Sequence, residues 1–144
     1  MIIKTKSQIS FEYLIIMGFI TFVIIGILGI AIFYSGSIRD KIKVTQMANC
    51  ANKIISTAES VFYAGKPSRA TINCYLPEGI QSIEIDTDII THKSDLIFTL
   101  QTSTGKTVTD FTSNVELAGN IQATPGLKKI KLDAEEDNVK ISQG

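Results

Sequence analysis

The sequence has one histidine, two cysteines, three prolines and no tryptophan in 144 residues. That scarcity argues against a histidine-built metal centre, because such sites draw on several imidazoles or thiolates. A Ser/His/Asp arrangement would have to rest on His92 alone. An excess of either charge is also missing, with 14 Lys+Arg against 14 Asp+Glu. A nucleic-acid binder should carry a basic surplus, so that class is set aside. Charged residues are only 19% and hydrophobic ones 44%, which excludes an acidic disordered tail. No Asn-x-Ser/Thr sequon occurs, so N-glycosylation is not expected.

One stretch lacks charge altogether. Between Glu12 and Arg39 lie 26 uncharged residues, and within them Tyr13–Tyr34 is apolar apart from Gly18, Thr21, Gly26 and Gly29. A bilayer core about 30 Å thick needs roughly 20 such residues as a helix. The apolar positions surround the helix and leave no water-facing stripe, so a single membrane span is expected. Lys4 and Lys6 favour a cytoplasmic N-terminus, although Arg39, Lys41 and Lys43 at the far end make charge alone ambiguous. An ordinary secretory signal has a shorter apolar core and a small-residue cleavage site. Here the run ends in Phe33-Tyr34, and Ala31-Ile32-Phe33 fits that site poorly.

Both cysteines, Cys50 and Cys74, follow the span. In an oxidising compartment they would form one bridge; in the cytosol they would be two buried thiols, and the bridge is the favoured reading. Beyond the span, Ile38, Ile42, Met47, Cys50, Ile54, Ala58, Val61 and Phe62 recur at intervals of three and four. This predicts an amphipathic helix that continues the span from about Ser10 to Ala64, closed by Gly65 and Pro67. After Pro67 the period becomes two. Strands are expected at Thr71–Leu76, Ser82–Asp86, Leu96–Thr102, Thr107–Phe111, Leu127–Asp133 and Asn138–Ser142. The fold class is therefore α+β: a long N-terminal helix whose second half lays Ile54, Ala58, Val61 and Phe62 on a C-terminal antiparallel sheet or small β-sandwich.

Candidate chemical motifs dissolve on inspection. Thr102–Thr107 (TSTGKT) resembles the end of a phosphate-binding loop, but the glycine needed five residues before Gly105 is Leu100, so a hairpin turn is expected. His92 reads as a surface residue, and Asp133–Asp137 (DAEED) as a loop between strands rather than a calcium loop. Asp86 and Asp88 read as solvated. No catalytic constellation emerges, and no enzyme activity, cofactor or metal is expected.

Glu12 stands apart as the sole acid in the first 39 residues, at the lip of the span. It can be a headgroup-level carboxylate. Alternatively, the helix leaves the bilayer and packs against copies of itself, and the carboxylate then sets the stagger between them, as buried polar groups do in coiled coils. Composition does not separate these two.

Gln8-Ile9-Ser10-Phe11-Glu12-Tyr13-Leu14 resembles the Q-x-S-x-E-[YF]-L signature of archaeal class III signal peptides, carried by archaeal type IV pilins. The resemblance covers roughly the first 40 residues. It implies a leader at 1–7, removed by a membrane prepilin peptidase between Ser7 and Gln8. It implies a helix at 8–64, with 13–34 as membrane span and later filament core, and an extracellular β-rich head at 65–144. Gln8, Ser10, Glu12, Tyr13 and Leu14 match the signature; Ser7 departs from the family's Gly or Ala before the cut. Glu12 becomes the fifth mature residue and would pair with the new amine of Gln8 on an adjacent subunit. Gly18, Gly26 and Gly29 would allow close helix approach. The partners implied are further copies of the chain, the peptidase, an assembly ATPase and a membrane platform protein. The precursor would sit in the cytoplasmic membrane and the product in an extracellular pilus. A minor, tip or priming subunit with an adhesive head, or a non-polymerising single-pass protein with an external binding domain, are the alternative readings.

Overall fold

The computed structural model describes the backbone of residues 4–88 and 90–144 and the side chains of residues 11–88 and 90–144. The described residues form an α+β chain. Helix α1 (Lys4–Ala64) is followed by β1 (Arg69–Leu76), β2 (Ile80–Asp88), β3 (Lys93–Thr102), β4 (Gly105–Ser113), β5 (Glu116–Gly119), β6 (Gly126–Ala134) and β7 (Asn138–Gln143). The chain divides into two compact units, one ending at Arg39 and the other Asp40–Gly144.

In the first unit α1 is helical from Lys4, earlier than the expected start near Ser10. No proline interrupts it, and Ser35-Gly36-Ser37 does not end it. An all-apolar run of this length suits a helix because every backbone polar group is satisfied within the segment. Its one threonine follows the same rule: Thr21 Oγ1 donates to the Met17 carbonyl one turn back, at 2.8 Å.

In the second unit the rest of α1 turns one face inward. Met47, Cys50, Ala51, Ile54, Ala58 and Val61 are buried, at the predicted spacing, and Phe62 packs beside them. Gly65 stops the helix with φ +71°, and its N–H bonds the Phe62 carbonyl at 3.0 Å. All six expected strands are present, but they do not form one antiparallel sheet. A three-stranded antiparallel sheet has the order β2-β3-β4, and a four-stranded sheet the order β1-β6-β7-β5. The latter is mixed, because β5, a strand absent from the sequence reading, runs parallel to β7.

Both sheets and the helix share one core. Phe98 from β3, Leu76 from β1, and Leu132 and Ile130 from β6 are fully buried with Met47 and Ile54. Phe98 meets Phe111 of β4 edge to face, with centroids 6.0 Å apart. The buried Ser94 joins the two sheets: its Oγ accepts the Leu117 N–H at 2.8 Å and lies 2.9 Å from the Thr87 hydroxyl, which donates to the Leu117 carbonyl. Gly119 ends β5 where a Cβ would sit 2.1 Å from the Ile141 carbonyl oxygen, so only glycine fits there.

Cys50 of α1 and Cys74 of β1 are bridged, with Cα atoms 5.3 Å apart and a sequence separation of 24. The reading of two separate thiols is thereby set aside. Closing a loop of that size contributes about 3 kcal/mol on the chain-entropy account. Replacing both cysteines by serine should lower the stability of the β unit by that amount, measured as the denaturant midpoint of the full chain in detergent. An unchanged midpoint would show that the bridge constrains nothing that matters.

Candidate functional site

The first unit presents a surface with nothing to cover it. Every described residue from Phe11 to Tyr34 is exposed, Phe33 at 82% and Phe22 at 75% of full accessibility. Apolar side chains face every direction, as expected for a helix bathed in lipid or surrounded by other helices. The described residues include one helix long and apolar enough to cross a membrane. A Cβ added at Gly18, Gly26 or Gly29 would meet nothing within 4 Å. These glycines therefore serve no contact within the chain; each leaves a notch in the helix surface that another backbone can approach.

Glu12, Tyr13 and Leu14 sit on the exposed first turns of this surface. Glu12 makes no ion pair among the described residues. The expected processing position, Ser7 and Gln8, and the motif residue Ser10 have side chains outside the described ones.

The second unit anchors its helix to the sheets with polar contacts that no periodicity announces. The Asp40 carboxylate accepts both the N–H (3.0 Å) and the hydroxyl of Ser103 in the β3–β4 turn. These bonds hold its carboxyl below the ordinary aspartate range, the hydroxyl contributing most. Nineteen residues on, Glu59 Oε1 accepts from the N–H (3.1 Å) and the side-chain amide (3.0 Å) of Asn114 after β4. Both ends of β4 are thus tied to one helix. Lys53 Nζ donates to the Asn73 carbonyl of β1 at 3.0 Å, beside the disulfide.

The remaining sequence candidates take their places simply. TSTGKT is the β3–β4 hairpin, with Thr102 paired to Gly105. DAEED finishes β6 and turns into β7. His92 is exposed, with φ +53°, and its Nδ1 lies 3.5 Å from Glu116 Oε2. Asp88 caps the adjacent turn by accepting from the Ile90 N–H and the Thr91 hydroxyl, and those bonds lower its pKa. Among the described residues, no group of three His, Cys, Asp or Glu side chains is placed to hold a metal ion. Asp40, Glu59 and Ser94 were missed by the sequence reading, since their partners lie 63, 55 and 23 residues away. Compared with known proteins, the chain matches no family model, no curated protein and no solved structure.

Proposed function

We propose that this chain is a structural subunit of an archaeal type IV pilus, processed at its N-terminus and polymerised through the apolar part of α1. The observation that carries the proposal is the Gln8–Leu14 signature set directly ahead of a helix whose apolar surface is open on all sides. A disulfide-tied β unit after that helix supports the same reading, because such bridges persist outside the cytosol.

The steps follow from the chemistry of the segment. The precursor rests in the cytoplasmic membrane with Lys4 and Lys6 inside and the β unit outside. Prepilin peptidase cuts between Ser7 and Gln8 and removes both lysines, which would otherwise resist leaving the cytoplasmic face. The assembly ATPase and platform protein then move the helix from lipid into a bundle of like helices. Apolar contact is kept throughout, and the notches at Gly18, Gly26 and Gly29 let neighbours close in. The β unit remains on the filament's outside.

Mass spectrometry of filaments sheared from the native cells tests this. The subunit should begin at Gln8, lighter than the full chain by residues 1–7. A chain beginning at Met1 or after Tyr34, or one found only as single copies in the membrane, would overturn the proposal.

A further inference from the structure

The chain has no net charge, yet its two sheets divide the charge between them. The outward face of β2-β3-β4 carries Glu84, Asp86, Asp95 and Asp110. Asp86 lies directly opposite Asp95, and Ile97 alone separates Glu84 from Asp110 across the strands. Lys93 and Lys106 stand only at the ends of this sheet, Lys93 opposite Asp88. Like charges facing each other across strands are destabilising, so this arrangement is unfavourable in the isolated molecule. Asp95 is half-buried, and its Oδ1 is buried with no hydrogen-bond partner among the described residues.

The outward face of β1-β6-β7 in the other sheet is the reverse, with Glu116 of the edge strand β5 beside it. Arg69, Lys129, Lys131 and Lys140 project from β1, β6 and β7. Asp133 is the acid in their midst, 3.0 Å from Arg69 and opposite Lys140. Lys129 lies opposite the uncharged Asn73, and Lys131 between the uncharged Thr71 and Ser142. One molecule therefore carries both halves of a complementary pair, on two different sheets of the same unit.

We infer that the acidic face of β2-β3-β4 docks on the basic face of β1-β6-β7 of a second copy of this chain. The two patches differ, so the contact is head to tail. Such a contact does not exhaust itself in a dimer; the pair keeps one free face of each sign, and the series continues as a helix or ring. The inference rests on the pilin reading for the crowding that brings β units together, and it adds what sets their lateral order. Opposed charges fix register and exclude the like-with-like arrangement.

The test uses the full chain in zwitterionic lipid vesicles without any assembly machinery, so its outcome is independent of whether cells make filaments. Ordinary and isotopically heavy copies are mixed and treated with a carbodiimide, which joins amines to carboxylates in direct contact. Hybrid links should join Lys129 or Lys131 to Glu84, Asp86, Asp95 or Asp110. They should fall at least tenfold between about 0.05 M and 1 M salt, where the screening length shrinks to about 3 Å. Lys129→Glu with Lys131→Glu should lose the links, as should Glu84→Lys with Asp86→Lys. Mixing those two variants should restore them, which misfolded chains could not do. Hybrid links confined to other surfaces, no hybrid links at low salt, or no rescue on mixing would overturn the inference. Protection of Lys129 and Lys131 only when anionic lipid is added would assign the basic face to headgroups instead.

Discussion

Replacing Glu12 by alanine should reduce filament yield at least tenfold while leaving the amount of membrane-inserted protein unchanged. In the membrane, Glu12 sits at the lip of the apolar run, where a carboxylate is well solvated and its removal changes little. In the proposed bundle of helices the same carboxylate would lie among Tyr13, Leu14 and their counterparts, and it would have to be paired there. On the proposed processing, the new N-terminal amine of Gln8 on a neighbour would supply the pairing charge. A hydrogen bond to a charged partner contributes about 1.5–3 kcal/mol, so each subunit addition becomes roughly ten- to a hundredfold less favourable without it. That penalty recurs at every step of growth, which makes the loss of filaments steep. Membrane fractionation and electron microscopy of the same cells read both quantities. Normal filament yield from Glu12→Ala would reduce the residue to a headgroup-level carboxylate.

Phe98→Ala should have the opposite signature. Phe98 is fully buried at the meeting point of α1 and both sheets. Truncation removes its transfer free energy and leaves a cavity, together about 3–5 kcal/mol. A unit of this size has roughly 5–15 kcal/mol in hand, so about a fifth or more of its stability should go. The edge-to-face contact with Phe111 is lost at the same time. Denaturant unfolding of the full chain in detergent should show the earlier midpoint, while the apolar part of α1, which takes no share in this core, keeps its helical circular dichroism. A shift below about 1 kcal/mol would mean that the surrounding side chains collapse into the space. The two substitutions together separate assembly from folding: one removes filaments from a stable protein, the other weakens the protein itself.

The helix and the six longer strands were legible because their burial repeats. Met47, Ile54, Ala58 and Val61 mark one helical face, and Leu96, Phe98 and Leu100 mark one strand face. What alternation tells is which side of a strand points inward; it is silent on which strand lies beside it. That is why two sheets were not distinguished from one. β5 escaped for a related reason: four residues with a single fully buried side chain, Leu117, make no period. Its position is set instead by Ser94 and by the close approach of Gly119 to Ile141, both tertiary facts. The disulfide was the favoured reading of the sequence, since both cysteines follow the apolar run. The polar ties of Asp40 and Glu59 were not, because a carboxylate on the polar side of an amphipathic helix looks the same whether it meets water or a loop. The apolar surface of α1 was the most legible feature of all, for it depends on composition alone. The opposite charges of the two sheets became visible only once each strand had a neighbour.

The Cys50–Cys74 link has a mechanical corollary. A pull carried along α1 enters β1 at two covalent points, through the 65–68 connection at its start and through the disulfide near its C-terminal end. β1 is paired with β6 from Arg69 to Leu76, so the load spreads along the ladder in shear and passes on to β7. Chemical reduction leaves the 65–68 connection as the single covalent route, so the load then enters β1 at Arg69 alone.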